Sequence, residues 1–126
     1  MRALLIIDMQ LGSFRPYELR LDTIAVIDRI NRLSDAFRNN GDLVIFIQHD
    51  GTKENSFMPG TEEWSLLPEL IRGAADIFVS KTANDSFYKT DLQTILRSRC
   101  IFRTILHHHS APKYTSDSAA KYTTLV

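Results

Sequence analysis

Apolar residues fall along this chain in two rhythms. Continuous runs occupy residues 3 to 7 (Ala-Leu-Leu-Ile-Ile), 43 to 47 and 77 to 79, and a fourth, interrupted by Arg103 and Thr104, spans 101 to 106. Runs without alternation are typical of strands buried on both faces, as in parallel sheets covered by helices. Between the first two runs, Val26, Ile27, Ile30, Leu33 and Phe37 recur at helical spacing. Asp22 is a good N-cap and Asn40-Gly41 a left-handed stop, so a helix is predicted from Asp22 to about Asn40. Thr90 or Asp91 caps a second helix carrying Leu92, Ile95 and Leu96 to about Arg99. Leu11 to Leu21, broken by Gly12 and Pro16, reads as loop. A long polar loop follows the second run, turning at Pro59-Gly60 before a short helical candidate at Leu66-Leu67-Pro68-Glu69-Leu70. Ser116 or Asp117 caps a last short helix through Ala119, Ala120 and Tyr122. The alternation predicts one α/β domain over 1–126, with a mostly parallel sheet of about four strands and right-handed crossovers. An exposed last strand would favour a homo-oligomer that covers it.

Composition narrows the class. Fifteen basic residues balance fifteen acidic ones, which argues against a nucleic-acid footprint or a polybasic membrane patch. No apolar run approaches a membrane span, and Met1-Arg2-Ala3 enters the first strand without a leader pattern. Cys100 is the one cysteine, so no internal disulfide can form and a reducing, cytoplasmic setting is expected.

Three predicted strands end in polar residues: Asp8, Gln48-His49-Asp50 and Lys81. Parallel strands bring their carboxyl ends together, where open α/β sheets place their ligand crevice. Asp8 is then a general base held ionised by a buried Lys81 within about 4 Å. The same residues also fit a buried ion pair, and Asp8 alone fits a cap on the next segment.

Ala3 to Asp8 with Met9-Gln10 resembles the opening motif of the isochorismatase-like cysteine hydrolases. Val44 to Gly51 resembles their second strand, and Gly60-Thr-Glu-Glu-Trp64 with Leu67-Pro-Glu-Leu70 the segment leading to the third. Phe78-Val-Ser-Lys81, Ser86-Phe87-Tyr88 and Thr90-Asp-Leu92 resemble the stretch holding the family's lysine. The resemblance covers residues 3 to 99 in order. It implies a three-layer α/β/α fold with a Rossmann-like sheet, shortened here at its C-terminus. The implied chemistry is thiolate attack on a C–N bond of a small amide, giving an acyl-enzyme that water hydrolyses. Asp8 would take the nucleophile's proton and Lys81 would balance charge. Gln10, Phe14, His49, Trp64 and Phe87 are the substrate-pocket candidates, core packing being the alternative for the aromatics.

The pattern departs after Arg99. Where a turn and the nucleophilic cysteine belong, the chain reads His107-His-His-Ser-Ala-Pro-Lys-Tyr114-Thr115. Residues 100–126 therefore read as a diverged or truncated tail, in which Thr115 is a poor replacement nucleophile because a hydroxyl is far less ionised than a thiol. Cys100 is the other nucleophile candidate, set at a helix-to-strand connection that also suits a small buried thiol. Adjacent histidines on a strand point to alternate faces, and no second histidine follows His49 nearby, so no metal or other cofactor is expected. Three readings remain open: a hydrolase impaired by the displaced cysteine, a non-catalytic binding or dimerisation module on the same fold, and a truncated product that folds poorly.

Overall fold

The computed structural model describes residues 1–15 and 21–99 and the backbone of 122–125. Its strands are β1 (Ala3–Ile7), β2 (Leu43–His49), β3 (Ile77–Lys81) and β4 (Tyr122–Leu125). They form one sheet in the order β3-β2-β1-β4, and every neighbouring pair is parallel. The helices are α1 (Leu11–Phe14), α2 (Thr23–Asn39) and α3 (Leu92–Arg99).

Side-chain alternation along the strands divides the core in two. Leu4, Ile6, Val44 and Phe46 bury against Ile27, Ile30 and Phe37 of α2 and against Leu66, Leu67 and Leu70. Ala3, Leu5, Leu43, Ile45, Ile47 and Val79 bury on the other face with Leu92 and Leu96 of α3. The central strands are covered on both faces, which is why they lack a polar alternation. Full burial of Leu92 and Leu96 supplies about 2 kcal/mol each, enough to dock a helix of barely two turns.

Several elements differ from the sequence expectation. Leu11 to Phe14, expected as loop, forms a single helical turn, because Leu11 and Gly12 donate to the Ser65 and Glu63 carbonyls at 2.8 and 2.9 Å and pin the chain there. Gly12 is required by that approach, since a Cβ would run into the Glu63 side chain and the Phe57 ring. Asp22 occupies the N-cap of α2 without a side-chain cap bond; its carboxylate pairs with Arg29 at 3.0 Å instead. Gly41 takes the expected positive φ, +70°. Leu66 to Leu70 is not helical: Leu66 bridges Gln10, Leu67 donates to the Met9 carbonyl at 3.0 Å, and Pro68 cannot continue a helix hydrogen-bond ladder. Tyr122, expected in a helix, begins β4 along the open edge of β1, and Thr123 and Thr124 are β-branched, which suits a strand. The strand expected over 101–106 lies outside the described residues.

Candidate active site

A regular strand would point residue 8 to the face of Leu4 and Ile6, where α2 packs, whereas Lys81 shares the opposite face with Val79. Asp8 breaks the alternation by adopting φ +57°, a left-handed conformation that aspartate tolerates better than most residues. Its amide still donates to the Ile47 carbonyl at 2.9 Å, extending the β1–β2 ladder by one bond. The carboxylate thereby reaches across the end of β2, and Asp8 Oδ2 lies 3.0 Å from Lys81 Nζ.

The pair is asymmetric. The Lys81 side chain is 3% exposed and that of Asp8 is 45% exposed, so burial falls on the ammonium far more than on the carboxylate. Lys81 Nζ also donates to the Asn84 carbonyl at 3.3 Å. Asp8 Oδ1 is occluded and accepts no hydrogen bond among the described residues. One carboxylate oxygen is thus committed to the lysine, and the other is a free acceptor at the carboxyl edge of the sheet.

His49 is the register partner of Lys81 on β2 and lies on the same face, with its ring edge-on to Phe57 at 6.2 Å. Asp50 is tied elsewhere: the Thr52 hydroxyl, then the Thr52 backbone N–H, hold its carboxyl below the ordinary range. Phe87 is partly exposed in the loop after Lys81, its amide donating to Asp85 Oδ1 at 2.9 Å.

The other pocket candidates sit apart from the pair. Gln10 is fully buried and spends its side chain on backbone groups. Its Oε1 accepts the His49 N–H at 2.7 Å, and its Nε2 donates to the carbonyls of His49 and Trp64 at 3.0 and 2.9 Å. Gln10 therefore clamps three segments together and presents no face to a substrate. Phe14 packs against the α2-side core, and Trp64 lines a cavity with Gln48 and Phe78 on that same side. Cys100 and Thr115 lie outside the described residues, as do the three adjacent histidines. Among the described residues no three His, Cys, Asp or Glu side chains gather as a metal site. The Asn84 carbonyl was not foreseen, since a backbone acceptor leaves no mark on residue type.

Comparison with known proteins bears on the family and the fold. Residues 2–106 match the family described as Isochorismatase domain, seven residues beyond the stretch on which the sequence resemblance was drawn. The uncharacterized isochorismatase family protein YrdC of Bacillus subtilis is 24% identical over 116 residues, which are 91% of this chain and 62% of that protein. A crystal structure of an isochorismatase family protein superposes with a TM-score of 0.71 at 32% identity, covering 79% of this chain and 58% of the other. N-carbamoylsarcosine amidase from Thermoplasma acidophilum gives 0.62 at 25% identity, covering 78% and 62%. The chain thus spans about three-fifths of the length of these relatives. The match over most of the chain, on a parallel sheet of the same kind, places this protein in the isochorismatase family.

Proposed function

We propose that this chain is a hydrolase domain acting on a small amide or a related metabolite, with covalent catalysis impaired because its cysteine stands away from the expected nucleophile position. The observation that carries the reading is the divided Asp8 carboxylate. Oδ2 is held by a desolvated lysine at 3.0 Å, and Oδ1 is occluded without a donor among the described residues. A carboxylate paired with a buried ammonium is suited to act as a general base toward a nucleophile at this edge of the sheet. The amide class is supported by the likeness to N-carbamoylsarcosine amidase.

In this reading the substrate carbonyl lies at the carboxyl edge of β1, β2 and β3. The half-exposed Asp8 carboxylate accepts the proton of an attacking water or hydroxyl, and the Lys81 ammonium offsets the negative charge that develops on the substrate carbonyl. Without a thiolate, amide cleavage is slow, and less demanding substrates such as vinyl ethers are favoured. We further propose self-association through the sheet edges and a cytoplasmic setting.

The test offers simple amides and a vinyl ether to the natural chain, Cys100→Ser and Asp8→Asn, and follows labelling by a thiol-directed electrophile. Slow turnover that survives Cys100→Ser and disappears in Asp8→Asn is expected. Rapid turnover abolished by Cys100→Ser would show an unimpaired thiol mechanism. No turnover of any substrate, with Asp8-dependent ligand binding retained, would favour a binding module instead.

A further inference from the structure

A second site lies on the α2 side of the sheet, the face opposite the Lys81 side chain. Gln48, Trp64, Ser65, Arg72, Phe78 and Ser80 contribute to a cavity of about 360 Å³, within the usual range for small-molecule sites, about 300–1,000 Å³. Phe46 and Phe78 are register partners on β2 and β3, with rings 5.5 Å apart and 12° from parallel. Phe46 is fully buried, yet Phe78 is 51% exposed. Phe78 is thus an aromatic platform stacked on the core by one face, with much of its surface still uncovered.

The polar groups of the cavity have capacity to spare. Gln48 is buried and uses Nε2 on the Trp64 carbonyl at 3.1 Å, with no hydrogen bond to Oε1 among the described residues. Trp64, whose Nε1 is a buried donor with no acceptor among them, adds an indole wall. Arg72 has no carboxylate within ion-pair distance among the described residues, whereas Arg38, from the same neighbourhood, is committed to Asp76 at 2.7 Å.

The walls are held in place. The Trp64 carbonyl is fixed by Gln10 and Gln48. Ile71, next to Arg72, donates its amide to Asn31 Oδ1 at 2.9 Å and accepts from Arg38 at 2.8 Å. A preorganised site loses less on binding than one that must order itself.

We propose that this cavity binds a small planar anion of the aromatic carboxylate class. The ligand's ring stacks on Phe78 and its carboxylate meets the Arg72 guanidinium. The assignment stands on residues separate from Asp8 and Lys81 and does not depend on the hydrolase reading.

Trp64 is the one tryptophan of the chain, so its fluorescence reports on the cavity directly. Benzoate is titrated into the natural chain, Arg72→Gln and Asp8→Asn, with benzyl alcohol as the uncharged comparison and cyclohexanecarboxylate as the non-aromatic one. A saturable change in Trp64 emission is expected, weakened at least tenfold by Arg72→Gln and in both comparison compounds, and altered less than twofold by Asp8→Asn. Because Arg72 is exposed, its replacement leaves the fold intact. No saturable response, equal affinity in Arg72→Gln, or loss of binding in Asp8→Asn would overturn the assignment. So would an emission shift that depends on protein concentration without benzoate, which would give the cavity to contacts between copies of the chain.

Discussion

At the scale of single residues, stability and chemistry part company around Asp8. Asp8→Ala strands a buried ammonium with the Asn84 carbonyl as its remaining acceptor among the described residues, so a loss of about 3 kcal/mol is expected. Lys81→Met leaves a half-exposed carboxylate that water can reach, and about 1 kcal/mol is expected. Urea unfolding of the two variants checks the order; equal losses would mean that burial is shared between the partners. Ser34 tests the reverse case, a fully buried hydroxyl with no partner among the described residues. Ser34→Ala removes an unsatisfied group from the middle of α2 and raises helix propensity, so a gain of about 1 kcal/mol is expected in the same assay. The Asp8–Lys81 pairing was legible in the sequence because Asp8 directly follows one apolar run and Lys81 follows another with only Ser80 between. The left-handed backbone that turns Asp8 toward Lys81 was not, since residue type permits that conformation without announcing it. Nor was the clamping role of Gln10, singled out as a pocket residue, whose work is done on backbone groups 39 and 54 positions away.

Among the elements, legibility followed length. The 17 residues of α2 give the apolar stripe several turns in which to repeat, whereas the four of α1 and the three of the 3-10 turn at Thr52–Glu54 are too few for any period to show. What joins α2 to β3 is also invisible to periodicity. Arg38 grips Asp76 with Nε to Oδ1 at 2.9 Å and Nη2 to Oδ2 at 2.7 Å. Asp76, whose side chain is 2% exposed, also accepts the Gly73 amide at 2.7 Å. Arg38→Met should therefore cost about 3 kcal/mol, most of it from the carboxylate left buried. A loss below about 1 kcal/mol in chemical denaturation would mean that the loop relaxes and hydrates Asp76. On the other face, Leu96→Ala should cost about 2–5 kcal/mol as α3 loses one of its two buried leucines.

For the molecule as a whole, the sheet was legible in direction and in its three best strands, while β4 was hidden by a polar, threonine-rich segment. Acid sensitivity is a property at this scale. The Arg2 backbone N–H, aided by its guanidinium, holds the Asp42 carboxyl below the ordinary range despite burial, with bonds of 2.7 and 2.8 Å joining the starts of β1 and β2. A depressed carboxyl stabilises the fold above its unfolded pKa, about 4, and that contribution is lost as pH falls through the folded value. Asp42→Asn should be less stable at pH 7 and show a shallower decline below pH 4, measured by unfolding across a pH series. An unchanged acid limb would place the dependence on other carboxyls.

The position of β1 between β2 and β4 carries a kinetic consequence. Leu4 meets Val44 on one side and Thr123, near the far end of the chain, on the other. Closing so long a loop is slow relative to the β1–β2 crossover. As the chain emerges from a ribosome, β1 pairs with β2 on one flank and waits, with its second flank bare, until residues 122–125 have been made. The time spent in that state, more than the strength of the finished sheet, sets the exposure of this protein to aggregation during synthesis.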